Sequence, residues 1–260
     1  MLKRLTLLIA SAASLAGLGA TAALADGMPL KTAYAAPGRC NGPFSGFYFG
    51  PHIGYGSYTT TWQEHSTDTG QIVENNFFDR NWVVGGQVGY NCQTGMAVFG
   101  IESDFAWSRL NAKQTFVSNL DTVPPETDID KYTSTVSWLG TTRLRAGLAS
   151  DGLLVFVTSG LAYAKIKHSL HDDVVEGVLN SESSTRWGWT VGAGTEYMLS
   201  DRMTFKADVL YVDFGQKNIF TQTANPNEPE FFRARDTLWV ARVGLNFKLG
   251  GDRHEEVPLK

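Results

Sequence analysis

The sequence predicts an all-β chain, an eight-stranded antiparallel barrel that crosses a membrane with short turns at one end and four long loops at the other. Three observations predict it. First, large apolar residues alternate with small or polar ones through about eight stretches of roughly 9 to 14 residues, the length of tilted membrane-crossing strands and their extensions. Second, the connections between these stretches alternate between short and long. Third, no internal window holds roughly 18 uninterrupted apolar residues, so any membrane role must run through strands.

The first segment, residues 1–25, reads as an export signal. Lys3 and Arg4 supply a positive start, Leu5 to Leu24 is apolar and alanine-rich, and Ala23-Leu24-Ala25 fits the small-x-small cleavage rule. Removing Lys3 and Arg4 from 22 basic side chains against 26 acidic ones leaves a net charge of −6, which excludes a nucleic-acid binder. Residues 26–45, "DGMPLKTAYAAPGRCNGPFS", hold no period and read as an extended periplasmic linker.

The barrel is expected over 46–249. In "GFYFGPHIGYG", Phe47, Phe49, Ile53 and Tyr55 share one face, while Gly50, His52 and Gly54 share the other. "NWVVGGQVGYN" repeats this with Trp82, Val84, Val88 and Tyr90 opposite Gly85, Gln87 and Gly89. The remaining strands are "AVFGIESDFAWS", "VSWLGTTRLRAGLA", "LLVFVTSGLAYA", "RWGWTVGAGTEYML", "MTFKADVLYVD" and "LWVARVGLNFKL". "CQTG", "ASDG" and "LSDR" are tight turns rich in Gly, Asp and Ser. Residues 57–80, 109–133, 167–185 and 215–236 are polar and read as the long loops. In outer-membrane barrels the turns face the periplasm and the loops face the exterior. A polar tail occupies 250–260.

Cys40 precedes the first strand and Cys92 ends its hairpin neighbour at the same rim. An exported protein favours a disulfide between them, two free thiols being the alternative.

One face of every strand carries Phe, Trp, Tyr, Val, Leu and Ile. The other carries glycines, Thr, Gln, Asn and charges. A soluble barrel would turn the apolar face inward and bury the charges. Instead, Trp82, Trp107, Trp138, Trp187 and Trp239 fall near the loop-side ends of strands, where an interfacial aromatic girdle belongs. The apolar face is therefore expected to meet lipid and the polar face the lumen.

That parity turns eight charges inward: Glu102, Asp104, Glu196 and Asp208 against Arg143, Arg145, Lys206 and Arg242. Glu102 and Asp104 face the Arg143–Arg145 pair of the next strand at the same spacing, so cross-strand ion pairs are expected. An eight-stranded barrel has an interior that side chains just fill, and a balanced interior argues for a plug. Arginines opposite both acids would hold both ionised, which disfavours a catalytic carboxylate pair. No catalytic motif or metal site stands out; no cofactor is expected. His52 reads as a lumen hydrogen-bonding residue. "KHSLHDD" places His168 and His171 beside Asp172 and Asp173; a turn of helix there would make a metal or haem site, and the plainer reading is a solvated loop.

The motifs "GFYFGPHIGYG", "GGQVGYN", "VFGIESDFAWS", "WLGTTRLRAG", "GWTVGAGTEYML" and "KADVLYVDFG" resemble those of the small outer-membrane beta-barrel surface proteins (porin-family, OmpA-barrel-like) of alphaproteobacteria, notably Rhizobiales. The resemblance runs in order from Gly46 to Leu249. It implies an eight-stranded barrel in the outer membrane, with a role in envelope integrity and surface presentation. It also implies contact with outer-membrane lipid and lipopolysaccharide, and assembly by the barrel-assembly machinery. Some relatives are described as porins and some bind haemin, so a small nonspecific pore and loop-mediated binding of haemin or a host surface are the alternatives. Such chains end on an aromatic residue of the last strand. Here Gly244, Phe247 and Leu249 keep the assembly pattern, but "GGDRHEEVPLK" follows, so the signal would be read internally.

Overall fold

The computed structural model describes residues 40–65, 72–120, 126–172, 177–225 and 228–249. The expected signal peptide, most of the linker and the polar tail lie outside the described residues. Eight strands close in chain order into one antiparallel barrel. They are β1 (Gly46–His65), β2 (Ile72–Thr94), β3 (Ala97–Leu120), β4 (Glu126–Ser150), β5 (Leu153–Asp172), β6 (Gly177–Ser200), β7 (Met203–Asn225) and β8 (Glu228–Leu249).

The strands are 20 to 25 residues long, well beyond the sequence-based expectation. They run through much of the polar segments read as loops. The reason is local: Tyr58, Thr59, Thr60, Thr61 and Trp62 suit a pleated strand even where hydropathy fades. The turns at the other end are tight. Asp151 and Gly152 both take positive φ, 50° and 78°, the primed turn that matches the twist of two hairpin strands.

Outside, large apolar side chains stand in a band on all strands, among them Phe49, Phe99, Leu144, Val157, Val209 and Val243. A band of that size around a closed wall is a lipid-facing surface. Its loop-side edge is a ring of aromatics: Tyr55, Trp82, Trp107, Trp138, Tyr163, Trp187, Tyr211 and Trp239, one from each strand. Several of them touch edge to edge or tilted, such as Tyr55–Trp82 at 5.4 Å and Tyr211–Trp239 at 4.9 Å between ring centres.

The wall changes beyond that ring. The β2–β3 ladder ends at Val83–Ser108, and the β6–β7 ladder ends at Trp189–Asp213. Past those points, among the described residues, β2 pairs only with β1, β3 with β4, β6 with β5 and β7 with β8. The loop-side half thus divides into two four-stranded flaps, β7–β8–β1–β2 and β3–β4–β5–β6, with two seams on opposite sides. Register shifts mark both seams: β3 between Trp107 and Leu110, and β7 between Asp213 and Gln216, where Gly215 has φ 67°. Such bulges bend a strand and end its pairing.

Candidate functional site

The interior is layered. Nearest the turns, Phe44, Val98, Ala149, Leu154 and Phe156 form a small apolar cap. Phe44 comes from the segment before β1, so the last residues of the expected linker pack into the barrel mouth. Cys40 is bonded to Cys92, with their Cα atoms 4.6 Å apart. The Phe44 backbone N–H donates to Gln93 Oε1 at 2.9 Å, and the Gln93 N–H donates to Ser45 Oγ at 2.9 Å.

The next layer is the charged belt. All eight inward charges named from the sequence lie in it, each 5% exposed or less. Arg143 sits between three carboxylates: it donates to Glu102, to Asp104 Oδ2 at 2.7 Å, and reaches Asp208 Oδ2 at 3.4 Å. Arg145 donates to Glu196 Oε2 at 2.7 Å and reaches Glu102 Oε2 at 3.3 Å. Lys206 donates to Glu102 Oε1 at 2.6 Å. Arg242 donates to Asp208 Oδ2 at 2.6 Å and forms an ion pair with Asp104, Nη1 to Oδ2 at 3.0 Å. The network therefore spans the lumen from β3 and β4 to β6, β7 and β8.

Neutral groups complete it. Tyr48 O–H donates to Glu102 at 2.7 Å, Thr141 to Asp104 at 2.7 Å, Thr204 to Glu196 at 2.6 Å, and Gln87 to Asn246 at 2.6 Å. Glycines make the space: a Cβ at Gly89 would stand 2.4 Å from the Tyr48 hydroxyl oxygen. Sequence parity places Tyr48 and Gln87 on the inward face with the charges, but does not name these neutral residues as their partners. His52 is buried here, yet neither ring nitrogen has a hydrogen-bond partner among the described residues.

Above the belt the lumen is largely apolar. Val83, Leu110, Val136, Leu139, Ile166, Val212, Phe214 and Leu238 turn inward and pack with Trp62 and Phe77 into a buried apolar cluster. This corrects the expectation that the inward face is polar throughout. Packed against one another, these inward side chains are out of water, and apolar ones gain by burial there as in any core.

A second polar node sits inside this cluster, beyond the aromatic ring and so outside the membrane-spanning part. The Tyr58 hydroxyl donates to Asp236, and Arg186 Nη1 donates to Asp236 Oδ2 at 3.1 Å. Ser134 Oγ and His168 Nδ1 are 2.8 Å apart; His168 Nε2 lies 3.5 Å from Asp236 Oδ2. Trp62 Nε1 donates to Ser134 Oγ at 3.2 Å. Burial pushes the Asp236 carboxyl up, but His168, Arg186 and Tyr58 outweigh that and hold it below the ordinary carboxylate range. His168 is thus a buried lumen residue, not part of a solvated loop. The side chains of His171, Asp172 and Asp173 lie outside the described residues.

Ser134, His168 and Asp236 stand in the connectivity of a nucleophile, a base and an orienting acid. Each is 1% exposed or less, and the carboxylate is already held by Arg186 and Tyr58. What the node does geometrically is join the flaps: Tyr58, Trp62 and Asp236 belong to one, Ser134, His168 and Arg186 to the other. Side chains also span the seams. The Asn111 N–H donates to Asp79 Oδ2 at 2.6 Å, and Arg186 Nη2 donates to the carbonyls of Phe214 and Gly215 at 3.3 and 3.1 Å. These bonds satisfy backbone groups that the interrupted ladders leave free.

On the last strand, Phe247 and Leu249 face outward in the lipid band, and Gly244 lets β8 pass close to Pro51 of β1.

Comparison with known proteins adds to this geometry. The pattern of the family described as "Outer membrane protein beta-barrel domain" matches residues 10–247. The 31 kDa outer-membrane immunogenic protein of Brucella melitensis biotype 1 is 30% identical over 246 residues, covering 91% of this chain and 97% of that one. The 22 kDa outer membrane protein of Rhizobium leguminosarum bv. viciae is 33% identical over 189 residues, 72% of each chain. Among solved structures, the outer membrane protein OprG from Pseudomonas aeruginosa superposes with a TM-score of 0.54 at 15% identity. The match covers 80% of this chain and 98% of that one, and shows a shared fold.

Proposed function

The chain belongs to the outer membrane protein beta-barrel domain family and resides in the outer membrane; within that family we propose that it is a structural protein with a plugged lumen. It would support envelope integrity and present its loop-side flaps at the cell surface. The observation that carries this reading is the belt of four acids and four bases, buried across the whole lumen and bonded to one another. Buried charges persist only when paired, and a belt so paired fills the cross-section of a narrow barrel. Insertion by the barrel-assembly machinery, reading Gly244, Phe247 and Leu249 from within the chain, is part of the same proposal.

Deleting the gene tests the structural role. The deletion strain is expected to become more sensitive to bile salts and chelators, and the wild-type gene to restore resistance. Unchanged sensitivity in the deletion strain would count against the role.

A small pore is the second reading, and the two seams favour it, since they give the loop-side wall lines along which to part. The charged belt, however, lies below the seams. The haemin reading draws no support from His168, which is turned into the lumen and engaged with Ser134.

A further inference from the structure

Beyond the aromatic ring, the outer surface of β2–β5 differs from the rest of the wall. Arg80 follows the ring on β2, Arg109 and Lys113 on β3, Lys131 on β4, and Lys165 and Lys167 on β5. All six face outward. Among the described outward side chains of these strands there, Glu74 is the one acid, and it accepts a bond from Gln63. Threonines and asparagines fill the gaps, with Thr135 donating to Asn111 at 3.3 Å. The opposite face is different. β1 and β6 present Ser57, Thr59, Thr61, Ser183 and Thr185; on β7 Lys217 is paired with Glu182 at 3.0 Å, and on β8 Arg235 is paired with Asp213 at 2.7 Å, which leaves Arg233 as a single exposed base there without an ion pair to a described residue.

Two features make this basic face more than a solvated surface. The first is unspent charge. Arg109, Lys113, Lys165 and Lys167 make no ion pair or hydrogen bond through their side chains with any described residue, and Arg80 makes only a cation–π contact with Phe78 at 5.3 Å. In the lumen, by contrast, every inward charge of the belt has a partner. The second is height. Lys165 lies two residues past Tyr163 and Arg109 two past Trp107. At about 3.3 Å per residue and a tilt of roughly 40°, their backbones stand about 5 Å beyond the ring. The headgroup zone outside the hydrocarbon core is about 5 to 8 Å deep, so these cations stand where lipid headgroups lie. Among the described residues, the turn-side rim balances Arg202 and Lys248 against Asp151 and Asp201 and carries no matching excess of bases.

We propose that the face formed by Arg80, Arg109, Lys113, Lys165 and Lys167 binds the phosphate groups of the outer-leaflet glycolipid. The acyl chains would lie along the apolar band below the ring, and the phosphates would meet the cations and hydroxyls above it. Charge-assisted bonds to phosphate are the strong class of hydrogen bond, and the face is continuous with the lipid-facing surface. The inference uses the outer-membrane placement but not the plugged lumen, so the two stand or fall separately.

The test uses the mature protein folded in detergent. The probe is purified lipopolysaccharide, either native or stripped of its lipid A phosphates, at about 0.1 M salt, with retention read by native mass spectrometry and surface binding. Wild type should bind the phosphorylated form about tenfold more tightly than the stripped form, and this preference should shrink as salt rises. The R109E/K165E/K167E variant should lose the preference while keeping its folded, heat-modifiable migration. T59E/S183E on the opposite face should retain it. Equal binding of the two glycolipids, or an unchanged preference in the triple variant, would overturn the proposal. So would binding of a soluble sulfated polysaccharide with indifference to glycolipid phosphate.

Discussion

Arg143 is the residue on which the charged belt turns, and its replacement by Leu is the most informative perturbation. The guanidinium is fully buried and serves Glu102, Asp104 and Asp208 at once. Without it the belt holds four acids against three bases. The acids keep other partners: Glu102 retains Lys206 at 2.6 Å and Arg145 at 3.3 Å, and Asp104 retains Arg242 at 3.0 Å and the Thr141 hydroxyl at 2.7 Å. Removing one partner of a buried ion pair costs about 3 to 5 kcal/mol. The surviving contacts place R143L near the lower end, about 3 kcal/mol. If the loss appears in the unfolding rate, that is roughly a hundredfold acceleration. The assay is urea-driven unfolding in lipid vesicles, followed by the shift between heat-modifiable and unfolded bands on a gel. The double variant E102Q/R143L restores the charge balance and should recover part of the loss, a coupling that independent sites would not show. Wild-type unfolding kinetics in R143L, or a double variant as impaired as the sum of its single changes, would refute the reasoning.

D236N should loosen the two flaps by roughly 3 kcal/mol, because Arg186 stays buried with only carbonyl partners. Since Asp236 is held below the ordinary carboxylate range, its contribution is complete at pH 7 and is lost as pH falls below about 4 towards its lowered value. The gap between wild type and D236N, measured by the same unfolding assay, should therefore narrow in acid; a constant gap would speak against the node. C40S should free the segment that carries Phe44. Alkylation before reduction should label no cysteine in wild type and one in C40S, with about 2 to 4 kcal/mol of stability lost. Two reactive thiols in native wild type would contradict this.

The charged belt was legible in the sequence because ionised side chains inside apolar, period-two strands can only turn to the lumen, and parity then names them. The tight turns were legible through Asp151 and Gly152. The second polar node was not. Arg186 and Asp236 sit where hydropathy fades, so the one reads as a strand edge and the other as the end of a loop, although Arg186 shares inward parity with Gly188 and Thr190. Parity alone implies a polar inward face along the whole lumen, whereas Leu110, Ile166 and Leu238 turn inward beyond the belt and make an apolar core. The seams could not be read at all. They depend on which neighbouring strands keep pairing beyond Ser108 and Asp213, and that is decided by bulges and packing far apart in sequence.

Planar-bilayer recording from the purified mature protein tests the plugged lumen most directly. The account predicts insertions that leave the bilayer without a steady open current, and conductance that appears only when belt residues such as Arg143 and Arg145 are replaced together. Steady, ohmic channels from the wild-type protein would contradict it.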